Sequence, residues 1–288
     1  MTGAKTRKTE LAGTWYPATA KAAVEAIDSW RPYIELSSGQ GSVLCAIIPH
    51  AGWYFSGRLA ARAILEASQS FGPQGPELVV VLGGHLPLDG EIVAFGEKAW
   101  ETPFGPLELD FSLNDLLIGK LSPLIWKGGT HDNTIEVQMP LVKNFCPKAK
   151  AWALRVPPGE KALLLGQVLV NLAQNRPGGV LILASTDLTH YGEAYGFAPA
   201  GRGIEGKNYQ KNNDLAFIKV ALEPNPSAMM FIGENKRAAC SSGAAAAAAT
   251  AANLLKTKAR LIDHYCSSDI LPGEQSVGYA AILYALTN

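Results

Sequence analysis

A chain of 288 residues suits one large domain or two small ones, and at this length about three quarters of the unfolded surface can be buried. It is 48% hydrophobic and only 17% charged, below the roughly 25% charged residues of an ordinary globular chain, which points to a large core and a buried subunit interface, as in a homo-oligomer. The 25 basic and 25 acidic residues cancel and form no long basic stripe, so the electrostatic footprint of a nucleic-acid binder is excluded.

In chain order, residues 1–10 are polar and basic and read as a flexible segment ahead of one domain over residues 11–288. GTWYP, from Gly13 to Pro17, is a turn. Residues 18–30 have helical spacing, with Thr19 placed to cap the helix. The apolar run 43–48 is a buried strand, 57–67 a helix, 78–82 a second buried strand and 91–95 a short third. Residues 135–145 read as a helix despite Pro140, 151–156 as a strand and 160–174 as a helix. Residues 180–184 are another buried strand. Helices over 207–222 and 241–255 precede closing strands over 260–267 and 277–286. Strands alternating with helices predict an α/β sheet with helices on both faces. Continuous apolar strands such as VVVL and VLILA fit a sheet covered on both sides.

The four cysteines, Cys45, Cys146, Cys240 and Cys266, contain no CxxC pair and suggest no disulfide framework. A reducing cytoplasm is the simpler home. The N-terminus lacks the apolar core of a signal peptide, and the Ala-rich run from Gly243 to Ala252 is too short and too weakly apolar to span a bilayer. The expectation is a cytoplasmic protein with no membrane partner.

Three of the five histidines follow strand-like runs: His50 in CAIIPHAGWYFSG, His85 in VVVLGGHLP and His190 in LILASTDLTHYG. In an α/β sheet, ligands bind beyond the carboxyl ends of the strands, so these loops can bring the three imidazoles into one cleft. Neutral imidazole is the commonest protein metal ligand. Each histidine also has an ordinary reading, as a helix cap or a polar loop residue. Gly83 and Gly84 allow a sharp turn before His85. Asp187 and His190 have a spacing at which the carboxylate can fix the tautomer of a ring, and His190 can then act as general acid or base. The alternative is a capping Asp and a turn histidine. Cys240 precedes a helix, where the dipole favours a thiolate, or it is a small buried hydrophobe. Glu136 sits in the first turn of its helix and, with His131, has at most a place near the site. His264 alternates along a strand and reads as structural. Cys45, Cys146 and Cys266 read as core or surface residues.

The GxGxxG from Gly201 to Gly206 follows Phe197-Ala198-Pro199 instead of a buried strand, so the dinucleotide context fails. The absence of GxxxxGK[ST], HExxH and GxSxG disfavours a nucleoside-triphosphate enzyme, a zincin protease and an α/β-hydrolase.

Taken together, GTWYP, PHAGWYFSG, LGGH, IEVQMP, STDLTHYG, Cys240 and the closing SVGYA resemble the Memo family, whose prokaryotic members are also called AmmeMemoRadiSam system protein B. The resemblance runs in order from about Gly13 to the C-terminus. It implies a LigB-like fold, that of the class III extradiol dioxygenases. It also implies a metal site of His50, His85 and Cys240 holding iron(II) or copper, with Asp187 and His190 as acid–base or supporting residues. The implied function is a redox or dioxygenase-like activity on a small-molecule or peptide ligand. The alternatives are a non-catalytic peptide- or protein-binding module on the same scaffold and a metal-dependent hydrolase. Three departures accompany the resemblance: Asn133 stands where the family has a histidine, the loop before His85 is shortened to Gly83-Gly84, and Ser241 replaces the glycine expected after Cys240.

Overall fold

The computed structural model of the protein describes residues 5–34, 41–119, 121–125 and 132–286. Among these, twelve strands occur in chain order: β1 (Thr6–Arg7), β2 (Val43–Ile48), β3 (Leu78–Gly83), β4 (Val93–Ala94), β5 (Ala99–Trp100), β6 (Leu107–Glu108), β7 (Leu124–Ile125), β8 (Lys150–Arg155), β9 (Val180–Ser185), β10 (His190–Tyr191), β11 (Lys258–Cys266) and β12 (Ser276–Ala285). The helices are α1 (Ala20–Trp30), α2 (Arg58–Gln69), α3 (Asn133–Glu136), α4 (Met139–Phe145), α5 (Glu160–Gln174), α6 (Gly203–Leu222), α7 (Pro226–Lys236), α8 (Ser242–Leu254) and α9 (Ser267–Ile270).

Nine strands make the main sheet, in the order β10-β12-β2-β9-β3-β8-β4-β7, with β11 paired to β12. At its centre β2, β9, β3 and β8 run parallel, and β12 closes one side antiparallel to β2. Every residue of β2, β3 and β9 is buried, as expected of strands covered on both faces. Alternation then assigns the side chains. The cross-strand row Cys45, Ile182, Val80 and Trp152 points into a core formed with α5, α6, α7 and α8. The adjoining row Ala46, Leu183, Val81 and Ala153 points into a core formed with α1 and α2. Each fully buried Val or Leu contributes about 1.5–3 kcal/mol, so the run of valines and leucines in β3 anchors both layers.

The Ala-rich helix α8 is buried from Ser242 to Ala252. Small side chains let it lie close to β2, where the Cys45 thiol reaches the Ala248 carbonyl at 3.6 Å. They also admit α5, in which a Cβ at Gly166 would strike the Thr250 side chain.

The structure corrects several expectations. The helix expected over 135–145 is two short helices, α3 and α4, with Pro140 in the first turn of the second. Proline lacks the N–H that a continuous helix would need, but it is tolerated in a first turn. The strand expected over 91–95 is reduced to β4. Helix α7 was not anticipated, although Asn225 caps it and Pro226 opens it. Residues 5–10, expected to be flexible, are held in place. Thr6–Arg7 pairs with β5, the Arg7 guanidinium lies 4.7 Å from the Trp100 ring centroid, and the Glu10 and Leu11 N–H groups both donate to Glu136 at 2.7 Å. No helix among the described residues is long and apolar enough to cross a membrane.

Candidate metal centre

The parallel strands deliver their carboxyl ends to one edge of the sheet. Ile48 of β2 is in register with Ser185 of β9, and Gly83 of β3 with Arg155 of β8. The next residues carry the chemistry: His50 after β2, His85 after β3, and Asp187 after β9. The N-terminal end of α8 reaches the same edge, because the Cys240 N–H donates to the Asp187 carbonyl at 3.1 Å and the Ser241 N–H to Thr186 Oγ1 at 3.0 Å.

His50 Nε2 lies 3.2 Å from His85 Nε2 and 3.2 Å from Cys240 Sγ, and all three donor atoms lie within 4.8 Å of one another. His190 lies beside this trio, with its Nε2 4.0 Å from Asp187 Oδ2, the oxygen that is also 4.0 Å from His50 Nε2. The loops thus bring His50, His85 and Cys240 together, with His190 close enough to act on the pKa of His50.

His50 is buried, and several groups fix it. Its N–H donates to Asp187 Oδ1 at 2.6 Å, and its Nδ1 lies 3.3 Å from Ser185 Oγ, which leaves Nε2 directed at the other donors. Gln138 donates to the Pro49 carbonyl at 2.8 Å and to Ser185 Oγ at 3.0 Å, tying α4 to the His50 loop. After this loop the chain makes one π-helical turn, Trp53–Gly57, before α2. The His85 loop turns at Gly84, whose φ of +103° suits glycine. The Gly84 N–H donates to Thr134 Oγ1 at 2.7 Å. Asn133 reaches the His50 carbonyl with its amide at 3.5 Å. His131 lies outside the described residues.

Burial sets the protonation states. It lowers the His50 pKa to about 3, with nearby His190 acting in the same sense. Burial and then His50 lower that of His85 to about 4. Both rings are therefore neutral near pH 7 and keep a lone pair. The Cys240 thiol is pushed up to about 12, by burial first and then by the Asp187 carboxylate. Burial raises Asp187 to about 6 against the opposing effect of His190, so it carries negative charge at neutral pH close to the trio. Burial also lowers the pKa of His190, while Asp187 opposes this. The buried His190 Nε2 has no hydrogen-bond partner.

The three donor atoms can share protons among themselves and with Thr186, and all three can also turn a lone pair to a common point. A bound cation would satisfy them, since ligand atoms on a tetrahedral ion with bonds of about 2.0–2.3 Å lie roughly 3.3–3.7 Å apart. Two nitrogens and a sulfur suit borderline or soft ions over magnesium or calcium.

Glu136, which the sequence explains by its first-turn position and gives at most a place near the site, is engaged by the N-terminal segment. Its Oε1 accepts from Glu10, Leu11 and Tyr16 at 2.7, 2.7 and 3.0 Å. Gln138, Ser185 and Thr186 are the supporting residues that the sequence does not single out. Their only signal is position, inside IEVQMP and STDLTHYG.

Donors gathered at the carboxyl edge of a parallel sheet define an α/β protein with a candidate metal centre. The chain belongs to the Memo family: the family described as Memo-like protein matches residues 7–283. A MEMO1 family protein of Pyrococcus abyssi is 27% identical over 95% of this chain and 97% of its own length. That of Pyrococcus horikoshii is 28% identical over the same shares, and that of Methanococcoides burtonii 27% over 96% and 99%. Among solved structures, the uncharacterized protein JW3007 from Escherichia coli K12 is similar in fold, with a TM-score of 0.54 and 11% identity, covering 84% of this chain and 99% of that one.

Proposed function

We propose that this Memo family protein is a cytoplasmic mononuclear metalloprotein with redox or dioxygenase-like activity, in which His50, His85 and Cys240 hold iron(II) or copper. The observation that carries this reading is the approach of two neutral imidazoles and one thiol, from three separate loops, at the strand ends. When bound, such an ion supplies Lewis-acid polarisation and electron transfer to an oxygen-bearing ligand. The protein's own groups do the rest. Asp187 holds the His50 loop through the backbone N–H and keeps a negative charge beside the donors. His190, with an unpartnered Nε2, takes or gives the proton. Free cysteines suit a reducing compartment.

The test is anaerobic purification followed by analysis of bound iron and copper. The wild type retains one such ion per chain at this site, and a His50→Ala/Cys240→Ala double variant loses it. A double variant with undiminished iron or copper would remove the assignment.

A second reading, a peptide-binding module on the same scaffold, is favoured by two observations. Asn133 offers no acid–base group where the family has a histidine. Tyr54 and Leu88 are 70% and 60% exposed, on the segments that follow His50 and His85, where an apolar ligand could rest. Dioxygen consumption that depends on the metal supports the enzyme. Stoichiometric peptide binding without turnover supports the module.

A further inference from the structure

A second group of donors lies against Thr189, the residue before His190. Asp214, on α6, is fully buried, and His264 is its only ion-pair partner among the described residues. A buried carboxylate without lysine or arginine is costly unless a cation or several hydrogen bonds offset it. Asp214 Oδ1 accepts the Thr189 N–H at 2.9 Å. Asp214 Oδ2 lies 3.1 Å from His264 Nε2 and 3.9 Å from Cys266 Sγ. His264 and Cys266 are two residues apart on β11, so they project from the same face of the strand. The three donor atoms lie within 4.8 Å of one another.

We propose that Asp214, His264 and Cys266 form a second metal site, for a borderline-soft divalent cation of the zinc type, which fastens α6 and β11 to the loop that carries His190.

The donor chemistry and the spacing both favour this over a simple Asp–His pair. Hydrogen bonds from His264 and from the Cys266 thiol can supply these contacts one by one, but an imidazole, a thiol and a buried carboxylate converging on one point is also the donor set of a metal site. Separations of 3.1 and 3.9 Å bracket the roughly 3.3–3.7 Å expected between ligand atoms on tetrahedral zinc. Carboxylate, imidazole and thiolate are its customary ligands, and a dication neutralises one carboxylate and one thiolate. Binding releases the Cys266 proton to solvent. Gly278 on β12 makes room: a Cβ there would strike Asp214 Oδ2, while its backbone N–H donates to the Thr189 carbonyl at 3.0 Å. Thr189 directly precedes His190, so an ion on Asp214 would stiffen the segment that positions the proposed proton-transfer group.

The experiment uses full-length protein stripped with a chelator, dialysed against zinc and counted by mass spectrometry of the metal. The His264→Gln/Cys266→Ser variant binds one zinc per chain fewer than wild type, and the proposal is overturned if the two bind equally. The His50→Ala/Cys240→Ala variant reports separately on the first site, so failure of one assignment leaves the other standing. Should the His264→Gln/Cys266→Ser variant fail to fold, cobalt(II) decides the matter in the His50→Ala/Cys240→Ala background. Near-ultraviolet thiolate-to-cobalt absorption there supports the second site, and its absence overturns it.

Discussion

Cys240 is the residue on which the chemistry turns, because a thiol pushed up to about 12 must lose its proton to become a ligand. His50 and His85, lowered to about 3 and about 4, are already neutral and compete for no proton above about pH 5. Metal binding at this site therefore releases about one proton, and affinity rises roughly tenfold per pH unit while the thiol is protonated in the free protein. Calorimetric titrations of a His264→Gln/Cys266→Ser variant, in buffers of different ionisation enthalpy, would measure that proton. If His190 moves a proton in turnover, His190→Gln keeps its metal and loses about 10²–10⁴-fold in rate. Loss of metal in that variant would make His190 a ligand instead. Gly84 meets two constraints: its φ is +103°, and a Cβ there would come within 2.7 Å of Arg155 Cβ. Gly84→Ala should cost about 2 kcal/mol, read as a lower denaturation midpoint, and should disturb metal binding through the displaced His85.

At the scale of elements, the site depends on how closely helices approach the sheet. α5 and α8 touch where Gly166 faces Thr250, and α8 delivers Cys240 to the strand ends. Gly166→Leu overpacks this contact and should destabilise the fold by about 1–3 kcal/mol, measured by denaturant unfolding. Its effect on metal content would show whether tilting α8 withdraws the thiol. The division of residues 133–145 into α3 and α4 has a similar consequence. The break near Pro140 lets Thr134 support the Gly84 turn while Gln138 supports the His50 loop. An unbroken helix over this span would need the N–H that Pro140 lacks.

At the scale of the whole molecule, Glu136 links the N-terminal segment to the body of the protein, with one carboxylate oxygen accepting from Glu10, Leu11 and Tyr16. Glu136→Ala would leave those donors unpaired and should cost about 3 kcal/mol. Faster amide exchange across residues 6–16 would locate the loss, and unchanged exchange there would show that the strand pairing with β5 suffices. The sequence determined the α/β class, the buried strands at 43–48, 78–82 and 180–184 and the loops bearing His50, His85 and His190, because apolar runs and the turns that end them are local properties of the chain. The motifs around those loops were specific enough to indicate the family. Tertiary structure decided which donors meet. Cys240 is 190 residues from His50, and Asp214 is 50 residues from His264. Nothing local distinguishes Asp214, His264 and Cys266 from ordinary core residues. Strand order and helix packing brought them together, and both are set by burial of the sheet's two faces as a whole.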